Sequence, residues 1–180
     1  LGIIAASILV ITFFVRDFFD SLFLAFHHVA FQVASIITTT GFATVDFNSW
    51  PTIPKTILVL LMFIGACAGS TGGGIKVSRI VLLFRSLTKE LSQSLHPNQV
   101  RKIHFEGRAV EHVVLRSVNV FIAAYILIFA ISVLLIGIDN YDLVTNFTAV
   151  AATLNNIGPG LELVGPAQNF GLFSNFSKLV

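Results

Sequence analysis

Three glycine-bearing stretches hold the residue types and spacings that could do chemistry. Residues 69–76 read "GSTGGGIK", four glycines in eight positions ending in a lysine, directly after the apolar run "TILVLLMFIGACA". Such a pattern suggests a phosphate cradle. A phosphate loop, however, requires G-x-x-x-x-G-K-[ST] between a strand and a helix. Here Ile75 separates the glycines from Lys76, and Val77 stands where Ser or Thr is needed. The other two stretches, "TTTGFAT" (38–44) and "NNIGPG" (155–160), centre on Gly41 and Gly158. Glycine admits backbone conformations that turn successive carbonyls to one side, and converging carbonyls can replace the hydration shell of a cation. The chemistry on offer is main-chain cation coordination. An ordinary glycine cap after a helix is the alternative for either loop alone.

Other candidates carry less. His27 and His28 are adjacent, so they point in different directions, and they lack the spaced Cys or carboxylate partners of a metal site. Packing or solvation is expected of them. Cys67 is the single cysteine, which excludes an internal disulfide and leaves a small packing residue. Asn146-Phe-Thr and Asn175-Phe-Ser match glycosylation sequons, the first inside an expected helix. No Ser/His/Asp or paired-carboxylate arrangement is visible.

The elements that must position these loops belong in a membrane. Of 180 residues, 55% are apolar and 11% charged, with mean hydropathy +0.88. A soluble domain carries about 25% charged residues. Residues 113–136 are long enough to span, since a span needs about 20 residues. Residues 1–15 read as the tail of another span. Residues 54–68 begin a third that breaks at the glycines and resumes at "IKVSRIVLLFRSLTKEL". A fragment is expected, cut within one spanning helix and ending near the start of another. Two shorter segments, 20–37 and 142–154, each open on an aspartate suited to an N-cap, Asp20 and Asp142, and end in the glycine loops. Short helices followed by irregular backbone suggest re-entrant segments. Aligning Gly41 with Gly158 pairs Val33 with Val150 and Ala34 with Ala151. The order of elements makes the repeat: span, short helix, glycine loop, span, and the same again.

Eight of the eleven Lys and Arg lie from Lys76 to Arg116, including Arg101 and Lys102, and the loops 38–53 and 155–177 have none. The positive-inside rule puts 76–116 in the cytoplasm and both glycine loops toward the outside, with Trp50 and Tyr141 as interfacial aromatics. The basic segment is explained by topology rather than by nucleic acid.

"TTTGFAT", "GACAGSTGGGIKVSRIVLLFR" and "LVTNFTAVAATLNNIGPGL", in this order, resemble the TrkH/KtrB family of potassium-transport membrane subunits. The resemblance implies an all-α polytopic membrane protein of helix–pore loop–helix repeats with re-entrant pore helices and a broken gating helix. Residues 1–107 correspond to the third repeat and 108–180 to the fourth, truncated before its last helix. It implies K+ uptake through a carbonyl-lined filter to which Thr39, Thr40 and Gly41 contribute one quarter and Asn156, Ile157 and Gly158 another. It implies that Gly69, Ser70, Thr71, Gly72, Gly73 and Gly74 form an intramembrane gate. Lys76 either repels K+ there or snorkels to the cytoplasmic interface. It further implies no cofactor, an inner (plasma) membrane location, a homodimer, and a cytosolic RCK-type nucleotide-binding subunit (TrkA/KtrA-like). The competing readings are a non-conducting membrane scaffold, with Gly65, Gly69 and Gly73 as a helix-packing stripe, and a membrane enzyme, disfavoured for want of a catalytic constellation.

Overall fold

A computed structural model describes residues 1–65, 69–95, 103–105 and 108–180. Cys67, Arg101, Lys102 and the expected repeat boundary at 107 lie outside the described residues. Among the described residues six α-helices follow in order: α1 (Gly2–Val15), α2 (Leu22–Ile37), α3 (Thr52–Phe63), α4 (Val77–Leu95), α5 (His112–Ile136) and α6 (Leu143–Leu154). The architecture is mostly helical. Two minimal strand pairs depart from an all-α reading. Ile64–Gly65 (β1) runs parallel to Ile75–Lys76 (β2), and His104–Phe105 (β3) runs antiparallel to Arg108–Ala109 (β4).

The first pair lies where the third span is expected to break. The helix stops at Phe63 because "GACAGSTGGG" sums several poor helix propensities. Its freed backbone then pairs Ile64 with Ile75 and Gly65 with Lys76 across the break, so the chain leaves and re-enters at one level. Gly65 does not lie on a helix face. A Cβ there would meet the Gly73 carbonyl at 2.3 Å, so the competing packing-stripe reading gives way to backbone-to-backbone contact inside the expected break.

Apolar periodicity explains the packing. Ala25, Val29, Val33 and Ile36 form a buried stripe on α2 at helical spacing. Val29, Val33 and Ile36, with Ile11 and Val15 of α1 and Leu58, Leu61 and Met62 of α3, build the main core. Ala151, Ile157 and Leu161 enter the same cluster, so the second glycine loop is anchored in the core of the first unit. A second cluster joins Leu82 of α4, Ile103 before β3, and Leu115, Val118 and Ile122 of α5.

His112–Asp139 is the one stretch among the described residues long and apolar enough to cross a membrane, 28 residues at mean hydropathy 2.8. Its outward face carries Val120, Ile126, Leu127 and Leu134, each at least 60% exposed.

Two expectations change. The cap of α2 is Ser21, whose hydroxyl accepts the Leu24 N–H at 3.2 Å, rather than Asp20. Asp142 does cap α6, accepting from the Thr145 N–H at 2.9 Å and the Thr145 hydroxyl at 2.5 Å. Trp50 is only 4% exposed, inside the main core and edge-on to Phe47, rather than at an interface. Tyr141 is half-buried, its hydroxyl donating to the Leu172 carbonyl at 2.8 Å.

Candidate functional site

The helices α2 and α6 end the same way, residue for residue. After α2, the Thr40 N–H reaches the Ser35 carbonyl at 2.8 Å and the Thr39 N–H reaches Ile36 at 3.0 Å. After α6, the Ile157 N–H reaches Ala152 at 2.8 Å and the Asn156 N–H reaches Thr153 at 3.0 Å. Both are Schellman terminations, with the left-handed residue one past the cap. Glycine usually occupies that position. Here it is Thr39 at φ 57° and Asn156 at φ 54°. A β-branched threonine in this region is a genuine outlier, and such strain clusters where function over-determines the backbone. Gly41 and Gly158 come two residues later, at φ 80° and 122°. They are not the helix caps that a glycine after a helix suggests.

The two loops meet. A Cβ on Gly41 would lie 1.9 Å from the Ile157 carbonyl oxygen, and one on Gly158 would lie 3.9 Å from the Gly41 Cα. Among the described residues, no protein group donates to the main-chain carbonyls of Thr38–Gly41 or Asn155–Gly158. Each belongs to or follows a helix C-terminus, where the backbone dipoles leave partial negative charge. Thr40, Asn156 and Gly158 are exposed and Thr39 is half-buried, whereas the Ile157 side chain is buried in the core. What Ile157 can offer a cation is therefore its carbonyl.

Side chains hold this backbone. The Ser35 hydroxyl donates to the Phe42 carbonyl at 2.6 Å, tying the first loop to its own helix. Thr148 performs the corresponding task on α6, its hydroxyl accepting the Leu161 N–H at 2.9 Å. Asn48 clamps the loop after α2 to the loop after α6, donating to the Glu162 carbonyl at 3.3 Å and accepting the Glu162 N–H at 2.9 Å. Lys55 and Glu162 add an ion pair at 3.6 Å, partly exposed and worth little by itself. On the flank, His28 Nδ1 lies 3.0 Å from the Thr44 hydroxyl, and its ring stacks on Phe19 at 5.2 Å. The packing role expected of His28 is met.

The broken helix reaches the same point from below. The Gly73 N–H donates to the Thr39 hydroxyl at 3.2 Å. A Cβ on Gly73 would lie 1.9 Å from the Asn155 carbonyl oxygen, and one on Gly72 would lie 3.2 Å from the Thr39 hydroxyl. The glycine loop is thus seated against the C-terminal ends of both short helices. Lys76 curls back under it, its ammonium donating to the Ser70 carbonyl and hydroxyl, both at 3.1 Å, and to the Gly72 carbonyl. It does not snorkel. It satisfies carbonyls that the helix break has freed.

Sequence reasoning missed Ser35, Asn48, Tyr125 and Asn155. Asn155 is fully buried. Its amide donates to the Ala151 carbonyl at 2.7 Å and its oxygen accepts the Tyr125 hydroxyl at 2.8 Å. The position of Asn155 before "NIGPG" was the available signal for it; Tyr125 had none, being one aromatic in a spanning helix. Among the described residues, no group of His, Cys, Asp and Glu could hold a metal ion.

Comparisons with known proteins show the family and the overall fold. The Trk system potassium uptake protein TrkH of Salmonella typhimurium is 41% identical over 165 residues, 92% of this chain and 34% of the relative. TrkG of Escherichia coli is 37% identical over 154 residues, 86% of this chain and 31% of the relative. The crystal structure of the potassium transporter TrkH from Vibrio parahaemolyticus superposes with a TM-score of 0.89 at 39% identity, covering 99% of this chain and 38% of that one. The chain therefore spans about a third of the length of these relatives. These are membrane transporters rather than enzymes. The family model described as a cation transport protein, TrkH, matches residues 5–180, and the chain belongs to that family.

Proposed function

We propose that this chain supplies two sides of a potassium-uptake pore. The observation that carries the reading is the pair of matched helix ends. Their unclaimed carbonyls converge where Gly41 meets Ile157 and Gly158. Carbonyls at helix C-termini favour a cation over an anion. Thr39, Thr40 and Gly41 form one filter segment, and Asn156, Ile157 and Gly158 form the other. α2 and α6 are re-entrant pore helices. Residues 69–74 lie against the cytoplasmic side of these segments as the gate, with Lys76 holding the loop's shape and adding positive charge beneath the pathway. Residues 1–107 act as the third of four repeats and 108–180 as most of the fourth, with 76–116 cytoplasmic in the inner (plasma) membrane. The complete protein works as a homodimer with a cytosolic RCK-type nucleotide-binding subunit. The relatives' role in potassium uptake supports the choice of ion.

The test is Gly41→Ser in the full-length protein. The added Cβ meets the Ile157 carbonyl at a backbone φ of 80°, so both filter segments must move. Uptake of Rb+ and Na+ into proteoliposomes should then lose much of its Rb+ preference. A preference equal to that of the unaltered protein would sink the filter reading.

A further inference from the structure

We infer that Tyr125 on α5 is a positioning residue that holds the glycine loop closed. It does so by fixing Asn155 and by touching both halves of the broken span. The inference rests on the gate reading above. The two matched helix ends differ in one respect. At the first, the Thr38 hydroxyl bonds within its own segment, to the Ala34 carbonyl at 2.7 Å and the Thr40 hydroxyl at 2.8 Å. At the second, the Asn155 amide makes the corresponding bond to Ala151, but its oxygen is left over and takes the Tyr125 hydroxyl. Only the second end is therefore bonded to a spanning helix among the described residues.

Asn155 is also the residue whose carbonyl Gly73 abuts. Its main-chain N–H and its side-chain amide both donate to the Ala151 carbonyl, at 3.3 and 2.7 Å, so the Tyr125 bond holds a side chain that is itself tied to the helix end. The Tyr125 ring has two further neighbours. It stands edge-on to Phe63 at 6.5 Å, the last residue of α3 before the break. It stacks at 6.3 Å on Phe121, whose ring also lies 4.0 Å from the Arg79 guanidinium in the first turn of α4 after the break. One side chain thus contacts the helix entering the break, connects through Phe121 to the helix leaving it, and bonds the residue against which the loop is seated. A shift of α4 that pulls the loop away must disturb this set. The set accordingly favours the seated state.

The test is Tyr125→Phe in the full-length protein, with Rb+ and Na+ flux into liposomes normalised to quantified protein. The substitution keeps the ring contacts and removes one hydrogen bond. Flux should rise about two- to tenfold, the range for loss of one neutral hydrogen bond, with Rb+ preference unchanged. Combined with Gly73→Ala, which unseats the loop directly, the gain should be less than the product of the two. Unchanged flux, lost ion preference or a fully multiplicative combination would each overturn the inference. If Gly73→Ala raises flux and Tyr125→Phe does not, only the Tyr125 role fails. If neither raises it, the gate reading fails as well.

Discussion

Replacing Gly73 by alanine tests the seat of the loop with one methyl group. The new Cβ would stand 1.9 Å from the Asn155 carbonyl oxygen, 2.6 Å from its carbon and 3.2 Å from its Cα. Ordinary contact begins at 3.4 Å, so about 1.5 Å of movement is required. Asn155 cannot supply it. It is fully buried and its side chain is bonded at both ends. The loop must supply it instead, giving up the bond from the Gly73 N–H to Thr39. Overpacking of this kind costs about 1–3 kcal/mol. On the proposed gate reading it applies only to the seated state and shifts the closed–open balance by roughly 5- to 150-fold. Rb+ flux per molecule in liposomes reads the shift. Gly137→Ala is the matched control: Gly137 has nothing within 4 Å of an added Cβ and lies at the far end of α5 at φ −56°. If Gly73→Ala conducts no faster than Gly137→Ala, the loop does not close the pathway at Asn155.

Thr39→Gly should leave thermal stability nearly unchanged while raising flux. It removes left-handed strain of about 1–2 kcal/mol and loses a hydrogen bond worth about 0.5–1.5 kcal/mol. Those terms nearly cancel for folding, but only the lost bond anchors the loop. A large fall in melting temperature with unchanged flux would refute this. Asp142 gives a pH dependence. The Thr145 hydroxyl, then the Thr145 N–H, hold its carboxyl below the ordinary 3.8. Its contribution is fully present above that value and is lost as pH falls through the lower folded value. Asp142→Ala should cost about 0.5–2 kcal/mol at neutral pH as a lost cap and flatten the acid side of the melting-temperature profile. An unaltered profile would count against the cap.

The broken span and the repeat were legible because both rest on composition. Residues 69–74, four glycines with Ser and Thr, sum several poor helix propensities, and two short apolar segments ending in glycine recur in the same order. What was not legible depends on which of two adjacent candidates the geometry selects. Asp20 and Ser21 both suit an N-cap, and the serine has the position. Gly41 and Gly158 invite the helix-cap role, but Thr39 and Asn156 take it. Asparagine tolerates left-handed backbone; threonine does not, so no local rule names Thr39. Trp50 was read from its type as interfacial, and only packing against Phe47 reveals it as core. The Tyr125–Asn155 bond joins residues on separate helices, and single-sequence periodicity carries no information about such pairs.

The distribution of glycine and strain around the site has one economical explanation. Left-handed backbone alone does not require glycine here, since Thr39, Asn156 and Glu162 adopt it at φ 53–57°. Glycine stands where main chain must approach main chain: Gly41 against Ile157, Gly73 against Asn155, and Gly65 against Gly73. Any side chain at those points would push apart the two glycine loops, the loop 69–74 from its seat, or the two edges of the break. Threonine at position 39 adds what glycine lacks, a hydroxyl that receives the Gly73 N–H. The strained turn and the close approaches therefore serve one arrangement. Two helix ends present carbonyls to the same space, and a third segment is held against them by contacts that a shift of about 1 Å would remove, because hydrogen bonds weaken steeply beyond their narrow range. On the proposed gate reading, a loop seated this way is held by contacts that a small displacement is enough to release.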